Sequence, residues 1–145
     1  MMTARKTYDA YKDTEILTAN QGKLIVMLYE GAIRFLRLAV ANMNPRKYDT
    51  VNHNIIRAQD IVTELMLSLN MAEGGEIAQN LFNLYAYMKK RLLEGNIKKD
   101  NEILEEVIAL LEQMRDAWDQ AARETTPGRQ NTAPRDKGAS FSITG

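Results

Sequence analysis

The sequence has no cysteine and a single histidine, and these absences exclude several kinds of chemistry. Without cysteine the chain can form neither a disulfide bond nor a thiolate metal site. With His53 alone it cannot supply the two Glu-x-x-His pairs of a ferritin-like metal bundle, so we expect neither metal nor cofactor.

The sequence also lacks an excess charge of either sign and any long apolar run. Lys and Arg total 19, and Asp and Glu total 19. Because nucleic-acid binding depends on concentrated positive charge, we expect no nucleic-acid partner. Charged residues interrupt each apolar stretch well before the ~18 to 20 residues of a membrane span, so we expect no membrane insertion. The first residues lack the apolar core of a secretory signal, which favours a cytoplasmic protein.

Side chains for catalysis are equally scarce. The three serines include Ser68, and the other two lie in the last residues of the chain, away from any base. Glu105 and Glu106 are adjacent, so on a helix they point to different faces and cannot act as a paired acid and base. The pair Gly74 and Gly75 is more typical of a turn than of an anion site. We therefore predict that the protein is not an enzyme.

Apolar residues recur at helical spacing in four segments, and no segment has a sustained period of two, which predicts an all-α fold. The first helix is expected to begin at the cap residue Asn20 and to end near Met43. The other three are expected after a cap at Asp49 as far as Asn70, from about Gly75 to Leu93 with Gly95 as C-cap, and after Asp100 as far as Ala121. Their predicted inward residues are Val51, Ile55, Ala58, Val62, Leu65 and Leu69 on the second helix, Ile77, Leu81, Leu84, Met88 and Leu92 on the third, and Leu104, Val107, Leu111, Met114, Trp118 and Ala121 on the fourth.

Four helices with short connections predict an antiparallel up-down four-helix bundle over residues 20–124. Residues 1–19 are predicted to be an N-terminal cap segment, because four apolar or aromatic residues in so short a segment need a surface to lie on. These residues are Tyr8, Tyr11, Ile16 and Leu17. Residues 125–145 change to Pro, Gly, Thr and Arg and are predicted to be a disordered tail.

The first predicted helix contains more apolar residues than a bundle needs. Ten of the thirteen residues in LIVMLYEGAIRFL, residues 24–36, are apolar, whereas a bundle helix needs about three core positions in each heptad. We expect one line to face the core: Leu24, Leu28, Gly31, Phe35 and Leu38. Two further lines remain, and we expect the last of them to border solvent: Ile25, Tyr29, Ala32, Leu36, Ala39 and Met43, then Val26, Ile33 and Val40.

We interpret this excess as a groove that receives a partner helix, although each residue singly fits a scattered surface position or one covered by residues 1–19. The predicted groove residues are Val26, Met27, Tyr29, Ile33, Val40, Ile56, Phe82 and Tyr85. Under this hypothesis Ile33→Asp weakens partner binding and leaves helicity nearly intact. Two alternatives stay open: a homodimeric structural bundle, and a metal-binding bundle.

The stretch YDAYKDTEILTANQGKLIVMLYEGAIRFLRLAV resembles the opening of the FliS family of flagellar secretion chaperones. The resemblance continues through NIIRAQDIVTELMLSLN, IAQNLFNLYAYMKKRLLEGNIKKD and EILEEVIALLEQMRDAW, and covers roughly residues 8 to 122. It implies a cytoplasmic, non-enzymatic four-helix bundle without a cofactor. Such a chaperone binds the C-terminal region of flagellin, prevents premature polymerisation and delivers flagellin to the flagellar type III export gate.

The same resemblance implies roles for the N-terminal segment. This segment is expected to lie over part of the groove in the free protein and to give way when flagellin binds. Tyr8 and Tyr11 match family positions implicated in docking to the export-gate protein FlhA.

Overall fold

Four α-helices make up most of residues 21–124, the part of the chain that the computed structural model describes. The helices are α1 (Gln21–Ala41), α2 (Tyr48–Leu67), α3 (Met71–Lys98) and α4 (Asn101–Glu124), and a 3-10 helix (Pro45–Lys47) leads into α2. No strand occurs between residues 21 and 124, which confirms the all-α prediction. The predicted N-terminal cap segment and C-terminal tail lie outside the described residues.

The helices form a ring. Each helix packs against the next one in the chain, and α4 packs against α1. α1 lies between α2 and α4, and α3 lies between the same two helices on the other side. Asn96 of α3 donates a hydrogen bond to Asn52 of α2 at 2.7 Å, and Gln59 of α2 donates to the carbonyl of Lys89 at 3.0 Å. The residue numbers fall on α3 as they rise on α2, so the two helices are antiparallel. The predicted up-down bundle is confirmed.

The core is built by one stripe on each helix. The predicted inward residues of α2 and α4 are buried almost completely, namely Val51, Ile55, Ala58, Val62 and Leu65 on α2 and Leu104, Val107 and Leu111 on α4. On α3, Met88 and Leu92 are buried as predicted, whereas Ile77 is exposed. Ile77 stands in the first turn after a break in α3 at Gly75, near the end of the bundle.

The prediction for α1 is right for Leu24 and Leu28, which are buried, but wrong for the other end of the same line. Leu38 of the line expected to face the core is 45% exposed, and Phe35 is only partly buried. The second line is the most deeply buried, with Ile25, Tyr29, Ala32, Leu36 and Ala39 all in the core. The reason is that α1 has two neighbours, α2 and α4, so the line halfway between them points at the bundle axis.

Three helix ends also differ from the prediction. The 3-10 helix runs straight into α2, so the chain is already helical at Asp49, which lies in the first turn and is not the cap. α3 begins at Met71, because the Asn70 side chain accepts a hydrogen bond from the Glu73 backbone N–H at 3.0 Å. Its C-cap is Lys99, in the left-handed conformation, and Gly95 lies in the helix interior.

Gly95 marks the place where α3 and α4 approach most tightly. A Cβ atom at this position would lie 3.0 Å from Leu104 Cδ2 and 3.1 Å from Ile103 Cγ2. At Gly31, on α1, a Cβ atom would meet only the tip of the Ile61 side chain, at 3.2 Å. Both glycines therefore lie against a neighbouring helix.

We expect Gly95→Ala to lower the free energy of unfolding by about 1 kcal/mol, because overpacking costs about 1 to 3 kcal/mol and better helix propensity returns about 1 kcal/mol. The matched control Gly31→Ala should be nearly neutral, since one flexible side-chain tip can move. Urea denaturation followed by circular dichroism at 222 nm measures both. Equal stability of the two variants would contradict this account of the α3–α4 contact.

Candidate functional site

The eight residues predicted to line one groove do not lie together. Val26, Tyr29, Ile33 and Tyr85 are buried in the core, so the expectation that Val26 and Ile33 border solvent is wrong. The expected behaviour of Ile33→Asp changes with it, because an unpaired carboxylate in the core should unfold the helices. Val26 and Ile33 are buried because α1 packs against the core over a wide part of its circumference, which includes its third apolar line.

Tyr29 and Tyr85 form a polar link across the centre of the bundle. Their hydroxyl groups hydrogen-bond to each other, and their ring centroids are 6.4 Å apart at an interplanar angle of 44°. Burial raises the pKa of Tyr85 to about 12. It also raises the pKa of Tyr29, an effect that the nearby Tyr85 reinforces and a hydrogen bond with Trp118 opposes. These phenols stay protonated and join α1 to α3, helices that face each other diagonally.

A shallow groove opens between α1 and α4, where the third apolar line of α1 reaches the surface. It encloses about 350 Å³ and includes Val40, one of the predicted residues. Its other lining residues are Arg37, Ala41, Glu105, Ile108, Ala109 and Glu112. Arg37 and Glu112 form an ion pair across the groove, so its rim is polar. Met27, also predicted, is half-buried elsewhere on α1.

Exposed apolar side chains concentrate along the outer side of the α2–α3 contact. Nine large apolar residues are exposed among residues 21–124. Five of them lie on the outer side of the contact between α2 and α3. We call these five the α2–α3 patch: Ile56 (44% exposed), Leu67 (78%), Phe82 (38%), Leu93 (55%) and Ile97 (74%). Two of them, Ile56 and Phe82, were predicted as binding residues from the sequence.

The register of the two helices groups the patch around a polar centre. Lys89 donates a hydrogen bond to the Thr63 hydroxyl at 2.5 Å. Ile56 and Leu67 stand seven residues before and four after Thr63, while Phe82 and Leu93 have the same spacing from Lys89. Residues at these spacings share a helix face. Because the helices are antiparallel, Ile56 lies near Leu93 at one end of the patch, and Leu67 lies near Phe82 at the other.

Sequence reasoning missed Leu67, Leu93 and Ile97. A usable signal was present, since Leu67 and Leu93 each follow a predicted residue by eleven positions, about three helical turns. The spacing alone did not say that the two rows meet, because that depends on helix register.

The remaining sequence predictions concern the N-terminal segment, metal binding and membrane insertion. Tyr8, Tyr11, Ile16 and Leu17 lie outside the described residues, and their roles stay predictions. Within residues 21–124 no group of three or more potential ligand side chains is placed to hold a metal ion. None of the helices in this range has the length and apolar character needed to cross a bilayer.

These features define a class of protein, a helical bundle whose most distinctive surface is apolar. The sequence matches the model of the family described as Flagellar protein FliS over residues 4–125. Relatives named Flagellar secretion chaperone FliS include that of Bacillus subtilis, 35% identical over 131 residues, covering 90% of this chain and 97% of the relative. Those of Vibrio cholerae and Escherichia coli are each 33% identical, covering 80% and 81% of this chain and 88% and 90% of the relatives.

The chain therefore belongs to the FliS family of flagellar secretion chaperones. This confirms the resemblance seen in the sequence. The family is one of chaperones and not of enzymes, which agrees with the shortage of catalytic side chains.

We expect Tyr29→Phe to lower the free energy of unfolding by about 1 to 3 kcal/mol, because it leaves the buried Tyr85 hydroxyl without its partner. The double variant Tyr29→Phe/Tyr85→Phe should recover part of this loss, since both polar groups are then absent. Urea denaturation of the two single variants and the double variant gives the coupling energy. Simple additivity of the single effects would contradict the proposed link.

The same pair predicts a loss of stability at alkaline pH. The folded-state pKa of Tyr85 is raised from 10.0 to about 12, so its contribution is present below pH 10 and is lost as the pH rises through about 12. Denaturation at a series of pH values from neutral to alkaline should show a steeper decline for the wild type than for Tyr29→Phe/Tyr85→Phe. If the stability of both proteins declines equally with pH, other titrating groups cause the loss of stability at alkaline pH.

Proposed function

We propose that this FliS-family protein binds the C-terminal segment of flagellin in the cytoplasm, prevents its premature polymerisation and delivers it to FlhA at the flagellar type III export gate. The observation that carries the proposal is the α2–α3 patch, a concentration of exposed apolar side chains. Its relatives are named flagellar secretion chaperones, which supports the same process.

The patch suits an amphipathic segment that becomes helical on binding. Its two apolar ends are about 16 Å apart, since Ile56 and Leu67 are eleven residues apart at about 1.5 Å per residue. A client helix lying along the seam would place an apolar residue at each end, three turns apart, and polar residues over Thr63 and Lys89. Ordering such a segment costs about 2 to 5 kcal/mol, which burial of apolar surface can offset while leaving the complex reversible.

The α1–α4 groove offers a second contact for a long client. It contains Val40 and lies across the bundle from the α2–α3 patch, because the helices follow one another around the ring. One straight helix cannot touch both surfaces. We propose that a client segment reaching both passes around the bundle, and that the buried Val26, Tyr29, Ile33 and Tyr85 support these surfaces from the core.

The N-terminal segment completes the proposal. In the free protein, Ile16 and Leu17 would cover part of the apolar surface and give way to flagellin. Tyr8 and Tyr11 would then dock the loaded chaperone at FlhA.

We expect a peptide of about 40 residues from the C-terminus of the cognate flagellin to bind with a strongly negative heat-capacity change, the signature of apolar burial with coupled folding. Isothermal titration calorimetry at several temperatures measures this. Leu67→Asp/Leu93→Asp should weaken binding at least about tenfold, a loss of about 1.4 kcal/mol, because both ends of the patch acquire a charge. Both side chains are more than half exposed, so circular dichroism should show unchanged helicity.

Ile77→Asp is the matched control, because Ile77 is also exposed on α3 but lies on another side of the helix. It precedes Gly95 by eighteen residues, which is five helical turns, and Gly95 lies against α4. It should leave the affinity unchanged. Equal effects of the control and the double variant would remove the α2–α3 patch from the binding surface. A dimer that light scattering detects both with and without peptide would instead assign the patch to self-association.

A further inference from the structure

Two arginines from adjacent helices share one aromatic ring on the α1–α2 face. The Cζ atoms of Arg34 and Arg57 lie 5.6 Å and 5.1 Å from the centroid of the Phe35 ring. The two guanidinium groups are therefore within about 11 Å of each other. Both side chains are exposed, whereas Phe35 is partly buried against the core. The ring thus holds two cations at the surface.

Neither guanidinium has a carboxylate partner among residues 21–124, a property they share with Arg46 and that distinguishes them from the other four arginines of this range. Arg37, Arg91, Arg115 and Arg123 each form an ion pair with Asp or Glu. Carboxylates are available to the shared pair, since Glu30 precedes Arg34 by four residues and Asp60 follows Arg57 by three. A guanidinium stacked on a ring uses its face, and its N–H groups stay free to donate.

Apolar side chains also stand one turn from each arginine. Leu38, one turn after Arg34 on α1, is among the exposed apolar residues of the bundle. Ile61, one turn after Arg57 on α2, is only partly buried. A ligand that fits this face must therefore combine negative charge with an apolar group. Two cations without further basic residues in the row are too few for a nucleic-acid backbone, which favours a peptide over a polyphosphate.

We propose that the α1–α2 face is a docking site for an acidic, amphipathic segment of a partner protein. Two carboxylates of that segment accept hydrogen bonds from Arg34 and Arg57, and an apolar side chain between them lies on Phe35 and Leu38. Planar guanidinium groups bind carboxylates in bidentate fashion, so the match is one of geometry as well as charge. Carboxylates four residues apart on a helix are about 5 to 6 Å apart at Cβ, a spacing that both arginines can reach.

This site is separate from the surfaces proposed for flagellin. The α2–α3 patch and the α1–α4 groove lie on the two neighbouring sides of the bundle, so a partner on the α1–α2 face can bind together with a client. The proposal stands or falls independently of flagellin binding.

The test uses the full chain and a synthetic fluorescent helical peptide with Glu at two positions four apart and Leu between them. A second peptide with Gln in place of both Glu residues is the probe control. Fluorescence anisotropy at low salt should show binding of the Glu peptide and at least about tenfold weaker binding of the Gln peptide. Arg34→Gln/Arg57→Gln should weaken the Glu peptide by a similar factor.

Arg115→Gln/Arg123→Gln is the matched control, because it removes the same charge from two ion-paired arginines of α4. It should change the dissociation constant less than about twofold. Arg34→Lys/Arg57→Lys keeps the charge and loses the planar guanidinium groups. This variant should also bind the Glu peptide weakly, while circular dichroism shows that the fold is intact.

Three results would overturn the proposal. They are absence of binding by the wild type, equal losses in the Arg34/Arg57 and Arg115/Arg123 glutamine variants, and full affinity in the lysine variant. Displacement of the peptide by millimolar inorganic phosphate, or equally tight binding of a short DNA duplex that depends on Arg34 and Arg57, would also overturn it in favour of a general anion site.

Discussion

The burial of α1 is the constraint on which the rest of this bundle depends. α1 is the most apolar of the four helices, and it packs against both α2 and α4. Its central line points at the bundle axis and includes Tyr29, which reaches across to Tyr85 of α3. Each unpaired hydroxyl in that position would cost about 1 to 3 kcal/mol, so the link favours one rotation of α1 and one register of α3.

Because α1 gives most of its apolar surface to the core, most of the exposed large apolar side chains among residues 21–124 lie on α2 and α3. The α3–α4 seam is closed by polar contacts, in which Tyr87 and Arg91 both hydrogen-bond to Glu106. These contacts lower the pKa of Glu106, first through Tyr87 and then through Arg91. The α2–α3 seam also has polar contacts, from Asn96 to Asn52, from Gln59 to the Lys89 carbonyl and from Lys89 to Thr63, but apolar side chains are exposed along its outer side. This contrast makes α2–α3 the side of the bundle best suited to an apolar client.

A secretion chaperone needs surfaces that recognise a segment and later release it, and the surfaces proposed for these tasks lie on different sides of the bundle. The α2–α3 patch is apolar, the α1–α4 groove has a charged rim, and the α1–α2 face holds two guanidinium groups over one ring, without a carboxylate partner among residues 21–124. Each therefore fits a different chemistry. Separate faces of this kind allow one chaperone to hold a client and meet another protein at the same time.

The sequence by itself determined the all-α class, the four helices, the inward stripes of α2 and α4, and the shortage of catalytic groups, because helical periodicity and composition are local properties. Only the tertiary structure decided which of three apolar lines on α1 faces the axis, and that Gly95 lies against α4 instead of capping α3. It also decided that Leu67 meets Phe82 and that Arg57 reaches Phe35. These pairings depend on the rotation and register of helices that are distant in sequence, which packing against neighbours sets.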